Sequence, residues 1–168
     1  MPWTCSRCGG EHDGAPLDWA FAEPWQWNGG NSPDDWLSED LCVWTDDAGD
    51  PAFFIRGILP IPVVDSGETF AYGAWSSLSK RSFERVYELW DNPVRVHEDP
   101  YFGWLSNSLP GYPETLNLPL DVVTDDLDER PTLRLRHGHH PLISEQEQGM
   151  TSQRVLEIAA LNFHGAGP

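Results

Sequence analysis

Residues 41–78, LCVWTDDAGDPAFFIRGILPIPVVDSGETFAYGAWSSL, decide the fold. Three runs rich in β-branched and aromatic residues, at about 41–45, 52–63 and 69–78, are separated by TDDAGD and VDSGE, polar connections of hairpin type. The pattern predicts three strands in an antiparallel meander. Pro60 and Pro62 have no N–H for a ladder, so the end of the second strand is expected on an edge or bending away from the sheet.

Downstream the period changes. In SLSKRSFERVYELW (77–90), Ser79 or Ser82 can cap a helix with Phe83, Val86, Tyr87 and Trp90 on one face, stopped by Asp91-Asn92-Pro93. YFGWLSNSLPGYPETLNLPLDVV (101–123) is broken by Gly and Pro and reads as mostly loop with a short extended tail. PTLRLRH (131–137) alternates apolar and basic residues as a half-exposed strand does. HHPLISEQEQGMTSQRVLEIAALNFH (139–164) holds two helices separated by Gly149, the second capped by Thr151. The expected class is α+β: a mainly antiparallel sheet (meander) with helices packed on one face, preceded by an N-terminal zinc-knuckle-like segment.

Upstream, residues 13–40 mix Pro, Gly and Asp with Trp19, Trp25, Trp27 and Trp36 and keep no sustained period. Disorder depletes aromatics, so this stretch reads as an ordered loop anchored on the body. At 168 residues the chain fits one domain over 1–168, with residues 1–12 as the knuckle, 13–40 as the Trp-rich ordered loop and 41–168 as the α+β body.

Twenty-seven acidic residues against ten Lys and Arg give a formal charge of −17 and a pI near 4.4. Such a field repels phosphate backbones and anionic headgroups, so neither nucleic acid nor a membrane is expected as partner. A protein partner with a basic surface, a cationic small molecule or a metal ion suits the balance, although acidity also serves solubility alone. The N-terminus has no basic stretch leading into an apolar one, and no apolar run approaches the roughly 18 residues of a membrane helix. A cytoplasmic location is expected.

CSRCGGEH (5–12) carries the chemistry. A Cys-x-x-Cys turn brings two thiolates to one zinc ion, and Gly9 permits the tight backbone after it. A redox reading needs a helix N-terminus and a βαβ context, and this segment runs into Gly-Gly instead. One such pair requires further ligands, available from His12, Cys42, His137, His139, His140 or His164. His12 is close enough in sequence to join the same ion. Cys42, between Leu41 and Val43, reads as a small buried hydrophobe, and His137, His139 and His164 read as solvated side chains.

Two weaker constellations remain. His140 and Glu145 could serve as an acid/base pair, though Glu145 equally suits the start of a helix. Arg56, Tyr72, Trp75, Trp104, Asn107 and Tyr112 combine stacking area with oriented polar groups, as a recognition pocket does, yet aromatics at strand spacing more often build a core. Arg56 inside an apolar strand needs a carboxylate, carbonyls or a ligand as partner. No G-x-S-x-G, H-E-x-x-H, Walker-type loop or G-x-G-x-x-G occurs.

Taken together and in order, CSRCGGEH, DLCVW, FFIRGILPIPV, FAYGAWSSLS, GWLSNSLPGYPETLNL and HHPLISEQEQGMTSQRV make the chain resemble an uncharacterised bacterial family, domain of unknown function 2199. The resemblance covers nearly the whole chain and implies a bacterial protein without an assigned activity. The Trp-rich stretch at 19–36 and the acidic DVVTDDLDERP (121–131) depart from the family's usual look and read as local elaborations. The resemblance is specific at HHPL, which brings His140 forward as a ligand. The expected zinc set is therefore Cys5, Cys8, His12 and His140, with Cys42 in reserve.

Two functions follow from the residues. The first is a zinc-stabilised, acidic, non-catalytic binding or accessory protein of bacteria, immunity-like or regulatory. The second is a small enzyme, metal-dependent or not, with the Arg56 cluster as its pocket and His140 and Glu145 as its acid/base groups.

Overall fold

The computed structural model describes residues 2–164. Its strands are β1 (Pro2–Thr4), β2 (Glu11–Asp13), β3 (Asp18–Ala20), β4 (Trp36–Leu37), β5 (Leu41–Thr45), β6 (Pro51–Pro62), β7 (Thr69–Leu78), β8 (Tyr101–Trp104), β9 (Pro119–Val123) and β10 (Thr132–Leu135). Its helices are α1 (Lys80–Glu88), α2 (Pro141–Gln148) and α3 (Ser152–His164), with a 3-10 turn at Pro93–His97. The class is α+β, with mostly antiparallel strands.

The central meander forms as its apolar runs and turns require. β5 pairs antiparallel with β6, and β6 pairs antiparallel with β7 from Phe53↔Leu78 to Pro62↔Thr69. The carbonyls of Pro60 and Pro62 accept from Gln146 Nε2 and the Met150 N–H, so this side of β6 faces α2 and the start of α3. In a strand the N–H and C=O of one residue point the same way. The missing proline donors therefore fall on the side away from β7 and cost that ladder nothing.

Beyond the meander the sheet takes a path that local pattern does not show. β10 runs parallel to β6 at Thr132↔Ile58 and antiparallel to β9, and β9 pairs antiparallel with β8. β8 then comes back to β7: Ser76 bridges Leu105, Trp104 N–H donates to Ser77 Oγ at 3.1 Å, and Ser106 N–H donates to Trp75 O at 2.8 Å. The sheet thus curls on itself around one core. Gly103 sits where the strands meet, and a Cβ there would lie 2.1 Å from Ser76 Oγ and 2.2 Å from Ser77 O. Residues 101–123 hold the expected loop and end in the expected extended tail, which is β9, but they open with β8, which local pattern does not show. Its pairing is long-range, and a Gly in a short apolar run reads locally as a turn.

Alternation sorts the meander into two sides. Ile55, Leu59 and Ile61 of β6, with Phe70, Tyr72 and Ala74 of β7, enter the main core, which also takes Phe83 of α1, Leu142 and Ile143 of α2, and Val155 and Ile158 of α3. Phe54, Trp75 and Cys42 form a second cluster, and Phe21, Trp27, Leu37 and Trp44 pack against it. Much of the Trp-rich segment is therefore a cover for the second side of the meander. Short strands β3 and β4 punctuate it, β3 running parallel to β7. Trp25 N–H donates to Ser106 O, and Trp75 Nε1–H donates to Phe21 O, tying the cover to the body.

Ser79 caps α1, its side chain accepting from Ser82 N–H at 3.1 Å, an arrangement that contributes about 1 kcal/mol. Phe83 lies 5.1 Å from Phe53, and Val86 and Trp90 pack on the core. Tyr87, expected on the same face, is instead exposed. Thr151 Oγ1 accepts from Arg154 N–H at the start of α3.

Candidate metal centre

β1 and β2 pair antiparallel from Pro2↔Asp13 to Thr4↔Glu11, so residues 5–10 must turn tightly between them. Gly9, at φ 68°, takes the left-handed conformation this turn requires. Cys5 N–H donates to Gly10 O and Gly9 N–H donates to Cys5 O, each at 2.9 Å. Two further backbone donors aim at sulfur: Arg7 N–H at Cys5 Sγ, 3.4 Å, and Gly10 N–H at Cys8 Sγ, 3.3 Å. Both sulfurs are thereby turned to the same side with donors that favour their anionic forms.

The end of α3 completes the group. Ala159 and Ala160 pack with Trp3 and Cys5, their small side chains letting the helix approach closely. One turn later, at i+4, come Phe163 and His164 on the same faces. Phe163 stacks on the His12 ring at 4.6 Å, and His164 Nε2 lies 3.1 Å from Cys5 Sγ. Cys8 Sγ lies 3.6 Å from His12 Nε2. One ligand atom from each of Cys5, Cys8, His12 and His164 falls within 4.8 Å of the others.

These spacings suit a single small ion. Metal–sulfur bonds of about 2.3 Å and metal–nitrogen bonds of about 2.0–2.1 Å in a tetrahedron put neighbouring ligand atoms about 3.6 Å apart. Cys5 is buried, His12 half-buried, and Cys8 and His164 exposed. Burial opposes ionisation of Cys5, but the backbone N–H groups of Cys8 and Arg7, the Cys8 thiol and the Arg7 charge outweigh it and hold its thiol below the ordinary value.

The structure brings together Cys5, Cys8 and His12 of the expected set and replaces His140 by His164. His140 is the N-cap of α2: Nδ1 accepts from Leu142 N–H at 3.1 Å, and Nε2 lies 3.1 Å from Glu114 O. Both ring nitrogens are thus engaged away from the cysteines. Cys42 is fully buried in the Phe54–Trp75 cluster, where burial and then the charges of Asp35 and Glu23 push its thiol up to about 12. His164, available by sequence but read there as a solvated side chain, joins the group because the docking of α3 brings it to Cys5.

The aromatic and Arg residues do not form one recognition pocket. Tyr72 is buried with its hydroxyl donating to Pro110 O at 2.8 Å, and burial pushes its ionisation up. Asn107, also buried, accepts from Trp75 N–H at 2.8 Å and donates to Glu23 O at 3.0 Å, so Trp75 and Asn107 brace β7 against the Trp-rich cover. Tyr112 donates to Glu145, whose other oxygen accepts from Arg154 Nε at 3.2 Å, and Arg154 also lies over the Tyr112 ring. Glu145 thus joins α2 to α3 and is not paired with His140. Trp104 is exposed and rests edge-on against Phe102. Arg56 reaches Glu39 O at 3.4 Å, its Nε has no partner, and burial followed by the charge of Arg130 pulls its ionisation below the usual value.

The family model described as an uncharacterized protein conserved in bacteria (DUF2199) matches residues 4–150, and the chain belongs to that family. The matched span includes Cys5, Cys8 and His12 and ends before α3 and His164. No curated protein and no solved structure matches the chain. No helix among the described residues is long and apolar enough to cross a membrane.

Proposed function

We propose that this member of the DUF2199 family is a zinc-stapled, non-catalytic binding or accessory protein. Cys5, Cys8, His12 and His164 hold the ion, which fastens the β1–β2 hairpin to the end of α3. The observation that carries this reading is the convergence of four ligand atoms, two sulfur and two nitrogen, within 4.8 Å. Two thiolates and two imidazoles form a common structural zinc set, and four protein ligands leave no position for a catalytic water. The tight turn and its N–H···S contacts support the same assignment.

The non-catalytic part draws on the other residues. His140 spends its ring on a helix cap and Glu145 spends its carboxylate on Tyr112 and Arg154. Neither arrangement suits a group that must exchange protons with a substrate. No disulfide joins the three cysteines, and two of them serve the metal, a usage that suits a reducing compartment such as the cytoplasm. A formal charge of −17 favours a protein partner with a basic surface.

Elemental analysis of the purified chain tests the staple. We expect one zinc per chain, lost in a Cys5→Ser, Cys8→Ser double variant that still folds but melts lower. Wild-type protein free of stoichiometric zinc, with Cys5 and Cys8 both reactive under native conditions, would contradict it.

A further inference from the structure

Two depressions meet on the surface between β4, the end of α1 and the segment before β10. One, of about 510 Å³, is lined by Trp36, Ser38, Asp40, Leu41, Tyr87, Trp90 and Asp91. The other, of about 390 Å³, shares Asp40, Trp90 and Asp91 and adds Asp128, Glu129, Arg95 and Arg130. Together they place four carboxylates and an aromatic wall around two guanidiniums. The guanidiniums are already engaged: Arg130 Nε donates to Asp40 at 2.7 Å, while Arg95 lies 5.6 Å over the Trp90 ring and donates to Leu127 O.

Asp91 and several polar atoms of the aromatic wall are not. Asp91 has no hydrogen bond or ion pair among the described residues, and the same holds for the Tyr87 hydroxyl and the indole N–H groups of Trp36 and Trp90. Tyr87 is 64% exposed, so its ring is open to solvent beside Asp91. Aromatic faces attract ammonium and guanidinium groups, and a nearby carboxylate supplies the countercharge. Arg95 over Trp90 is an instance of this contact within the same groove.

We propose that this groove docks an extended segment of a partner protein through its lysine or arginine side chains. One basic side chain would lie along Trp36 and Tyr87 with its charge at Asp91, and a second would enter the depression bounded by Asp128 and Glu129. Charge complementarity selects the occupant: the same groove repels acidic peptides, nucleic acids and anionic lipids. This rests on the binding-protein reading above, and gives that reading a surface and a partner chemistry.

The test uses the zinc-loaded, ¹⁵N-labelled full chain and follows its tryptophan indole N–H signals. The probe is a capped peptide in which lysines alternate with serines, with its glutamate counterpart as the opposing probe. The Trp36 and Trp90 signals should move saturably with the lysine peptide alone. A Tyr87→Ala, Asp91→Asn variant, altered only at exposed positions, should bind roughly tenfold more weakly, the loss of one cation–aromatic and one charge contact. The Trp3 indole, which donates to Gly14 O beside the metal centre, should stay in place and so report an intact staple. Failure of Trp36 and Trp90 to respond, equal binding by the variant, or a uniform shift of all the indoles would overturn the groove. None of these results would alter the zinc content on which the staple depends, so the two readings fail separately.

Discussion

Cys5 Sγ and His164 Nε2 lie 3.1 Å apart, although 159 positions separate them in the chain. The contact joins the first hairpin to the last helix, and a metal bound there would close almost the entire chain into a loop. Closing so long a loop constrains the unfolded state strongly, because the entropy of closure grows with loop length.

His164 should therefore matter to the metal where His140 does not. A His164→Ala variant is expected to bind zinc roughly a hundredfold more weakly, worth about 2.7 kcal/mol of linked stability. In a domain of this size that lowers the melting midpoint by roughly 5–10 °C. A His140→Ala variant should keep full zinc content and lose only the cost of a helix cap, about 1 kcal/mol. Competition with a chromogenic chelator and thermal melts measure both. Equal zinc loss in the two variants would contradict the ligand set.

The return of β8 to β7 predicts the response to a single methyl group. At Gly103 the added Cβ would strike Ser76 Oγ and the carbonyl of Ser77, and the carbonyl belongs to a strand that cannot move without breaking its ladder. Gly103→Ala should cost about 1–3 kcal/mol by forcing the strands apart. Zinc content should be unchanged, because the knuckle lies elsewhere. A melting midpoint equal to wild type would show that the two strands do not approach as described.

Much of this architecture was legible in the residues themselves. The β5–β6–β7 meander, α1, α2, α3 and β10 follow from local period, caps and turns, which is why they were expected close to where they occur. β9 follows from the extended tail of 101–123, whereas β8 and the order of both strands in the sheet were not legible, since they depend on partners far away in sequence. The Cys5, Cys8 and His12 grouping follows from spacing, whereas His164 needed the docking of α3 on Trp3. His140 misled because its pairing with proline marks a helix start, and its nitrogens serve that start. Tyr72 and Trp75 on β7, and Asn107 in the segment after β8, carry polar atoms suited to a pocket, but their burial turns those atoms to backbone groups.

Acid should weaken the fold through Glu98. Its carboxylate is held at about 2, against an ordinary 4.5, first by the hydrogen bonds from Arg85 and then by Tyr101. A depressed folded-state value means that the contribution is complete above the ordinary value and is lost as pH falls through the folded one. The stability difference between wild type and Glu98→Gln should hold steady above pH 4.5 and shrink as pH falls toward about 2. Urea melts across that range measure it. A difference that stays constant across the window would contradict the Arg85–Glu98 pairing.

Thiol reactivity separates the three cysteines. Cys42 is buried and its thiol is pushed up to about 12, so it should resist aromatic disulfide reagents until the protein unfolds. After zinc removal Cys8, exposed, should react first. Mass spectrometry of the labelled, digested protein assigns the order. Labelling of Cys42 before Cys8 in the native chain would contradict this placement.

The most direct test of the staple is X-ray absorption at the zinc edge of the purified, metal-loaded protein. The account predicts two sulfur neighbours near about 2.3 Å and two imidazole nitrogens near about 2.0–2.1 Å, with no oxygen in the inner shell. A shell of one sulfur, or of two sulfurs with coordinated water in place of an imidazole, would contradict a closed site built by Cys5, Cys8, His12 and His164.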